Sequence, residues 1–249
     1  MAGTWTIYRR ELAGLFLGPL AWVLLALALL VNGYFFAWWY LPALQWDVGV
    51  SLRLALGLSW PFWLLMVLLP PLITMRMISE ESSSGMLEFL LTAPVRDGAV
   101  VLGKLLAATT LMAILWSSAL VYALAVAGLG TPPDWGPVWT GVAGAALVSA
   151  LFCALGLVAS ACTSTPILAA FLALVFEIVL LSVPLLAQQI GLPRDHWLRQ
   201  SLVSFDVIAR FQGSFVVGVI DSHHLVFFGA WTAFLAFLAT RLLEARRWR

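Results

Sequence analysis

The chain has 249 residues, of which 63% are apolar and only 10% are charged, and its mean hydropathy is +1.01. Soluble globular domains carry roughly 25% charged residues, so this composition excludes a water-soluble fold. The net charge of +1 provides no basic field that would attract a nucleic acid. The chain is therefore predicted to be a polytopic membrane protein.

Six apolar segments are each long enough to cross a hydrocarbon core roughly 30 Å thick. Such segments can satisfy their backbone groups in a bilayer only as helices, and the alternation typical of outer-membrane strands is absent. The second segment contains Pro70 and Pro71, which predict a kink or an early end there. The predicted spans are residues 19–40, 54–75, 100–129, 138–162, 166–187 and 225–243.

The distribution of Lys and Arg predicts the orientation of these spans. With a cytoplasmic N-terminus, nine of the 13 basic residues lie on the inner side, which agrees with the positive-inside rule. Both termini are therefore expected to be cytoplasmic. Before the first span, Trp5, Tyr8, Leu12 and Leu15 recur at steps of three and four residues, which predicts an amphipathic helix on the inner leaflet.

Two connections are too long to be plain turns. In the inner one, residues 76–103, the acidic pair Glu80 and Glu81 favours the start of a short helix, and Pro94 ends it. This helix has an apolar side, which must be buried either on the membrane surface or in a protein groove. The outer connection, residues 188–223, has apolar residues at helical spacing. It predicts helices that pack against the outer mouth of the bundle or dip partly into it, buried in protein and not in lipid.

Catalytic and metal-binding motifs are weak. Residues 98–104 nearly match a phosphate-binding loop, but Leu105 replaces the hydroxyl that would hold magnesium, so the chain is not expected to bind ATP by itself. His223 and His224 would point about 100° apart on a helix and would chelate a metal poorly. Ser214 with these histidines could form an intramembrane hydrolase only with an orienting group, and none is evident. We predict no catalytic residue and no metal ligand.

Glu177 is the only acidic residue deep within a predicted span. An ionised carboxylate at the centre of a membrane helix costs roughly 2.5–3.5 kcal/mol, so this side chain should face protein or a water-filled path. It is either a polar site in a translocation path or subunit interface, or a protonated packing residue. The sequence leaves both interpretations open.

Several motifs along the chain form a recognisable combination. They are Glu80-Glu81, Ser84-Gly85-Met86-Leu87-Glu88, Leu90-Leu91-Thr92-Ala93-Pro94-Val95, Val100-Val101-Leu102-Gly103-Lys104, residues 133–137, residues 218–221 and residues 244–249. In combination, these motifs resemble the permease subunits of type-2 ABC transporters, in particular the group that contains the gliding-motility and NosY-like permeases. The inner connection carries the most specific of them, although Ser82 and Ser83 stand where this group has basic residues.

The resemblance implies a single type-2 ABC transmembrane domain, residues 1–249, in a bacterial inner membrane. Its inner connection would form a coupling helix, at about residues 80–93, that inserts into a separate cytoplasmic ATPase subunit. The complex would contain two permeases, identical or homologous, and two ATPase subunits, which would bind the ATP and Mg. The residues implied in coupling are Glu80, Glu81, Gly85, Leu87, Glu88, Leu90, Leu91 and Pro94.

A permease of this kind would export a substrate or perform conformational work across the membrane, and would not itself be an enzyme. The alternative is a membrane anchor that relays ATPase motion to an accessory protein on the outer side without moving a solute. An intramembrane enzyme would instead show activity without any ATPase partner. The sequence does not identify a substrate.

Overall fold

The computed structural model describes residues 2–43, 48–84, 96–130, 132–189 and 196–247, and these residues form helices and short connections without a strand. The helices are α1 (Ala2–Leu17), α2 (Pro19–Phe35), α3 (Val48–Arg53), α4 (Trp60–Thr74), α5 (Ser79–Ser83), α6 (Asp97–Trp116), α7 (Ser118–Gly128), α8 (Trp135–Cys162), α9 (Pro166–Gln189), α10 (Trp197–Val203), α11 (Val207–Ser214) and α12 (Ser222–Arg247). Helix α2 continues through a π-helical turn, Phe36–Tyr40, and a second π-helical turn, Leu54–Leu58, follows α3.

Six helical segments of the described residues are long and apolar enough to cross a membrane, which confirms the predicted all-α, six-span fold. The segments are Pro19–Tyr40, Gly49–Ser83, Asp97–Gly128, Trp135–Cys162, Pro166–Ala187 and Ser222–Ala245. The second begins earlier than predicted because α3 leads into it, and its path breaks at Gly57, where φ is +123°. The prolines Pro70 and Pro71 lie inside α4, which ends at Thr74.

Helix α8 is the centre of the bundle and packs against α4, α6, α9 and α12. Its most apolar stretch is 67% buried, whereas that of α9 is only 17% buried. Small residues allow these close contacts, since a Cβ atom at Gly156 would lie 2.0 Å from the Thr74 hydroxyl oxygen. Helix α9 therefore lies at the periphery of a core that α8 organises.

Helices α10 and α11 connect α9 to α12, and α11 is inserted into the bundle, as predicted for the outer connection. Phe211 and Phe215 are fully buried, and the Phe211 ring stacks on that of Phe62 of α4 at 5.4 Å between centroids. The carbonyl of Gly57 accepts a hydrogen bond from Gln212 of α11 at 2.8 Å. We call this end of the bundle the loop end. The opposite end, which holds α1, residues 75–84 and the start of α6, is the terminal end.

Candidate functional site

Helix α1 is packed across the first turns of α6 at the terminal end. Ile7 is buried in this contact, and Gly103 permits it, because a Cβ atom at Gly103 would lie 2.8 Å from the Ile7 side chain. Trp5 is 61% exposed and stacks on Tyr8. Helix α1 therefore contacts α6 through Ile7, which is not part of the apolar stripe predicted from sequence, and through Tyr8, which is, and whose hydroxyl lies 3.2 Å from that of Thr110.

Lys104, the only lysine of the chain, is buried where α1, α6 and residues 75–84 meet, and its side chain is 1% exposed. Its Nζ atom lies 2.8 Å from Glu81 Oε1 and 3.1 Å from Glu11 Oε1. It also donates a hydrogen bond to the carbonyl oxygen of Met77 at 2.7 Å. An ammonium group has three donors, so these three acceptors satisfy it completely.

Arg10 completes this cluster from the exposed side. One of its Nη atoms lies 2.6 Å from Glu11 Oε1 and 3.2 Å from Glu81 Oε1, so both carboxylates are shared by two cations. The hydrogen bond to Glu11 raises the pKa of the Arg10 guanidinium above its ordinary value. The four side chains carry no net charge together. We call Arg10, Glu11, Glu81, Lys104 and the Met77 carbonyl the junction.

Ser160 of α8 holds the same turn from the other side. Its Oγ atom accepts hydrogen bonds from the backbone N–H groups of Ile78, at 3.2 Å, and Ser79, at 3.0 Å. The hydroxyl donates to the carbonyl of Met75 at 3.1 Å. A hydroxyl has one donor and two acceptor positions, and all three are used here. Residues 75–81 are thus fixed to α8 by Ser160 and to α6 and α1 by the junction.

The Ser160→Ala substitution is expected to lower the free energy of unfolding by about 1–3 kcal/mol for each buried N–H group that it leaves unpaired. Ser182→Ala is a matched control, because among the described residues the Ser182 hydroxyl donates its hydrogen bond to the carbonyl of Val179 within its own helix. Thermal unfolding of the two purified variants in the same detergent measures the difference. Equal midpoints would show that Ser160 does not hold the turn.

Two of the sequence-predicted coupling residues lie among the described residues. Glu80 and Glu81 are in the first turn of α5, but their surroundings differ. Glu80 is exposed and lies 4.0 Å from Arg76, whereas Glu81 belongs to the junction. The second carboxylate oxygen of Glu81, Oε2, is buried and has no hydrogen-bond partner among the described residues. The remaining predicted coupling residues, Gly85, Leu87, Glu88, Leu90, Leu91 and Pro94, lie outside the described residues.

Sequence reasoning missed Glu11 and the role of Lys104. Lys104 matched a family motif and a chance phosphate-binding pattern, and neither indicated a buried ion pair. The available signal was a charged side chain within a predicted membrane span, which requires a partner. An acidic residue on the amphipathic helix and another at the start of the inner connection were candidates for that partner.

The other polar residues considered from sequence lie apart from the junction. Glu177 is fully buried in the middle of α9. Among the described residues, no three His, Cys, Asp or Glu side chains converge as metal ligands do. At the loop end, His223 Nδ1 lies 3.1 Å from a guanidinium nitrogen of Arg210. Cys153 is buried, Cys162 is exposed, and both are free thiols.

The junction contains two carboxylates, two cations and a carbonyl, and it holds no nucleophile paired with a general base. Together with Ser160, the junction fixes residues 75–81 to three helices, α1, α6 and α8, so a displacement of this turn would move these helices together.

Comparison with known families identifies the family of the chain. A search of curated proteins returned no match. The model of the family described as ABC-2 family transporter protein matches residues 61–196, more than half of the chain. The matched region runs from α4 to α9 and includes Glu81, Lys104 and Ser160. The chain therefore belongs to the ABC-2 transporter family and is a multi-pass membrane protein of the permease type, a component of an ABC transporter.

Proposed function

We propose that this permease couples ATP binding and hydrolysis in a separate cytoplasmic ATPase to export of a substrate, or to conformational work, across the membrane. The observation that carries the proposal is the attachment of residues 75–81 to α8 through Ser160 and to α6 and α1 through Lys104. The predicted coupling helix, residues 80–93, begins at this turn. A push on that helix therefore reaches three helices of the bundle at once.

The energetics follow from two conformations of the complex. ATP, held with Mg by the ATPase subunits, favours the conformation of the complex that binds it more tightly. It can shift the conformation of the permease only by as much as its affinity differs between the two conformations. The junction can transmit this shift because its ion pairs are short and buried on the Lys104 side. The catalytic chemistry belongs to the partner, and the permease supplies the moving helices.

The proposed complex has two permeases, identical or homologous, and two ATPase subunits in a bacterial inner membrane, with both permease termini cytoplasmic. The orientation is supported by the excess of Lys and Arg at the terminal end. Helices α2 and α9 expose broad apolar faces to lipid or to the second permease. We assign residues 1–249 to one type-2 ABC transmembrane domain of the gliding-motility and NosY-like group, on the motifs of the inner connection.

A second candidate function is mechanical relay without solute transport. It is favoured by the contacts of α4 at both ends, since Gln212 of α11 bonds to the Gly57 carbonyl just before α4, and α4 leads into the turn held by Ser160. Motion at the terminal end would then reach α11 and an accessory protein bound at the loop end. ATP-driven solute flux in proteoliposomes would identify a transporter, whereas its absence despite active hydrolysis would favour the relay.

Changing both Leu90 and Leu91 to Ser is expected to leave membrane insertion intact and to remove the ATPase from the purified complex. The reason is that an amphipathic coupling helix binds its partner groove through its apolar side. The measurement is a pull-down of the tagged protein in mild detergent, with mass spectrometry of the copurifying chains and an assay of their ATP hydrolysis.

The matched control changes Val219 and Ile220, two adjacent apolar residues exposed at the loop end, to Ser. This variant should retain a near-stoichiometric ATPase. Unchanged ATPase recovery in the Leu90 and Leu91 variant would contradict the coupling role of this segment. A wild-type protein that purifies without any ATPase would contradict the proposed function itself.

A further inference from the structure

Glu177 is a buried acid that has no hydrogen-bond partner in the part of the chain that the structure describes. It is fully buried, and neither of its carboxylate oxygens has a hydrogen-bond partner among the described residues. No Lys or Arg of the described residues forms an ion pair with it. A buried carboxylate in this situation would be very costly, whereas the neutral acid avoids most of that cost.

The position of Glu177 on its helix shows which contact it occupies. Ala169, Ala173 and Glu177 follow each other at four-residue intervals, so they lie on one face of α9, and all three are buried. This face packs against α8 and α4, while most of the remaining surface of α9 is exposed. We call this contact the α9 seam. Glu177 points into its own bundle, not toward a surface that a second permease could cover.

The two helices that form the α9 seam with α9, namely α4 and α8, supply no counter-ion to Glu177. Helix α4 has no ionisable side chain, and α8 contributes the buried thiol of Cys153, which lies within electrostatic range of Glu177. Helices α5 and α10 also pack against α9 and carry Glu80, Glu81 and Arg199. Neither carboxylate oxygen of Glu177 receives a hydrogen bond from any of the described residues.

We propose that Glu177 is a proton-binding site of the permease. The carboxylic acid holds its proton while the α9 seam is closed, and it gives the proton to water when α9 moves away from α8. Pro184 supports such a movement, because it lies inside α9 and removes a hydrogen bond from the helix, as hinge positions do. The peripheral position of α9 supports it as well.

Proton binding to one of two conformations links their equilibrium to pH. The closed seam binds one proton more than the open seam, so acidic conditions favour closure and alkaline conditions favour opening. This link is a property of the permease alone and does not depend on the coupling to an ATPase. It can therefore be tested, and can fail, independently of the proposed function.

The protonation state is tested by infrared spectroscopy of the full-length protein in detergent at neutral pH. The wild type is expected to show the C=O stretching band of a protonated carboxylic acid, which Glu177→Gln removes. Glu244→Gln, which changes an exposed carboxylate paired with Arg241, should leave the band in place. Identical spectra of the wild type and Glu177→Gln in this region would show that Glu177 is ionised, and would overturn the proposal.

The opening of the α9 seam is tested through Cys153. The chain has two cysteines, so Cys162→Ala leaves Cys153 as the only thiol. The rate of its alkylation by N-ethylmaleimide is measured as a function of pH in two proteins, Cys162→Ala alone and Cys162→Ala combined with Glu177→Gln. The rate in the protein with Glu177, divided by the rate in the protein with Gln, should be near unity at mildly acidic pH. This ratio should rise several-fold at alkaline pH, because Glu177 can ionise and Gln cannot. A ratio that stays constant across the pH range would overturn the link between Glu177 and the seam.

Discussion

The Lys104→Met substitution is expected to lower the free energy of unfolding by about 3–5 kcal/mol, the usual cost of removing one partner from a buried ion pair. Met fills nearly the same space, so packing is largely kept. The carboxylates of Glu11 and Glu81, which both contact Nζ in the wild type, are left side by side with Arg10 as the single cation. Thermal or chemical unfolding in detergent measures the loss.

Two further variants show whether the stability lost in Lys104→Met comes from the unpaired carboxylates. Arg241→Met removes an exposed cation that lies 2.7 Å from Glu244, and such a surface pair contributes about 0–1 kcal/mol. Adding Glu11→Gln and Glu81→Gln to Lys104→Met removes the unpaired charges, so this triple variant should recover much of the lost stability. A Lys104→Met variant no less stable than Arg241→Met would contradict the structure of the junction.

The second large effect is expected at the contact of α8 with α4. In Gly156→Ala, the new Cβ atom would lie 2.0 Å from the Thr74 Oγ1 atom and 3.0 Å from its Cβ atom. The Thr74 hydroxyl also donates a hydrogen bond to the carbonyl of Pro70 at 2.7 Å, which restricts its rotation. Overpacking of this kind costs about 1–3 kcal/mol, occasionally more, and it moves the end of α4 that leads into the junction.

Gly128→Ala is the control for this substitution, since no atom lies within 4 Å of the position that its Cβ would take. Combining Gly156→Ala with Thr74→Ala removes the closest clash and leaves the 3.0 Å contact, so a partial recovery of the unfolding midpoint is expected. If Gly156→Ala unfolds at the temperature of Gly128→Ala, then α8 and α4 are less closely packed than described.

The fold of this chain was largely predictable from hydropathy. The six spans, the helix before the first span and the helices between the fifth and sixth spans all follow from apolar length and spacing. Hydropathy did not reveal α3, which is short, or the break at Gly57. That break depends on a positive φ and on contacts with Gln212 and Phe211, which are far away in sequence.

The candidate site was only partly predictable, for a physical reason. The acidic pair Glu80 and Glu81 indicated a helix start, but the two side chains have different environments because they point in different directions from α5. Lys104 contacts Glu11 across 93 positions of sequence. No spacing pattern in the sequence predicts this contact, because it depends on how Ile7 packs against Gly103 where α1 crosses α6.

The surroundings of Glu177 were likewise not predictable from the sequence. Its residue type and depth marked it as unusual, yet only the packing of α9 shows that it faces α8 and α4 and not an exposed surface. Ala169 and Ala173 lie on the same face, but small residues are frequent throughout these helices, so the sequence did not distinguish this face from the others.

In the function proposed above, the junction transmits ATPase motion to the bundle. The most direct test reconstitutes the permease with its copurified ATPase in proteoliposomes and measures permease-dependent ATP hydrolysis below the unfolding midpoint of every variant. We expect Lys104→Met to retain the bound ATPase but to lose the stimulation, whereas Arg241→Met keeps both. Full stimulation by Lys104→Met would contradict the account, because force would then reach the helices without the junction.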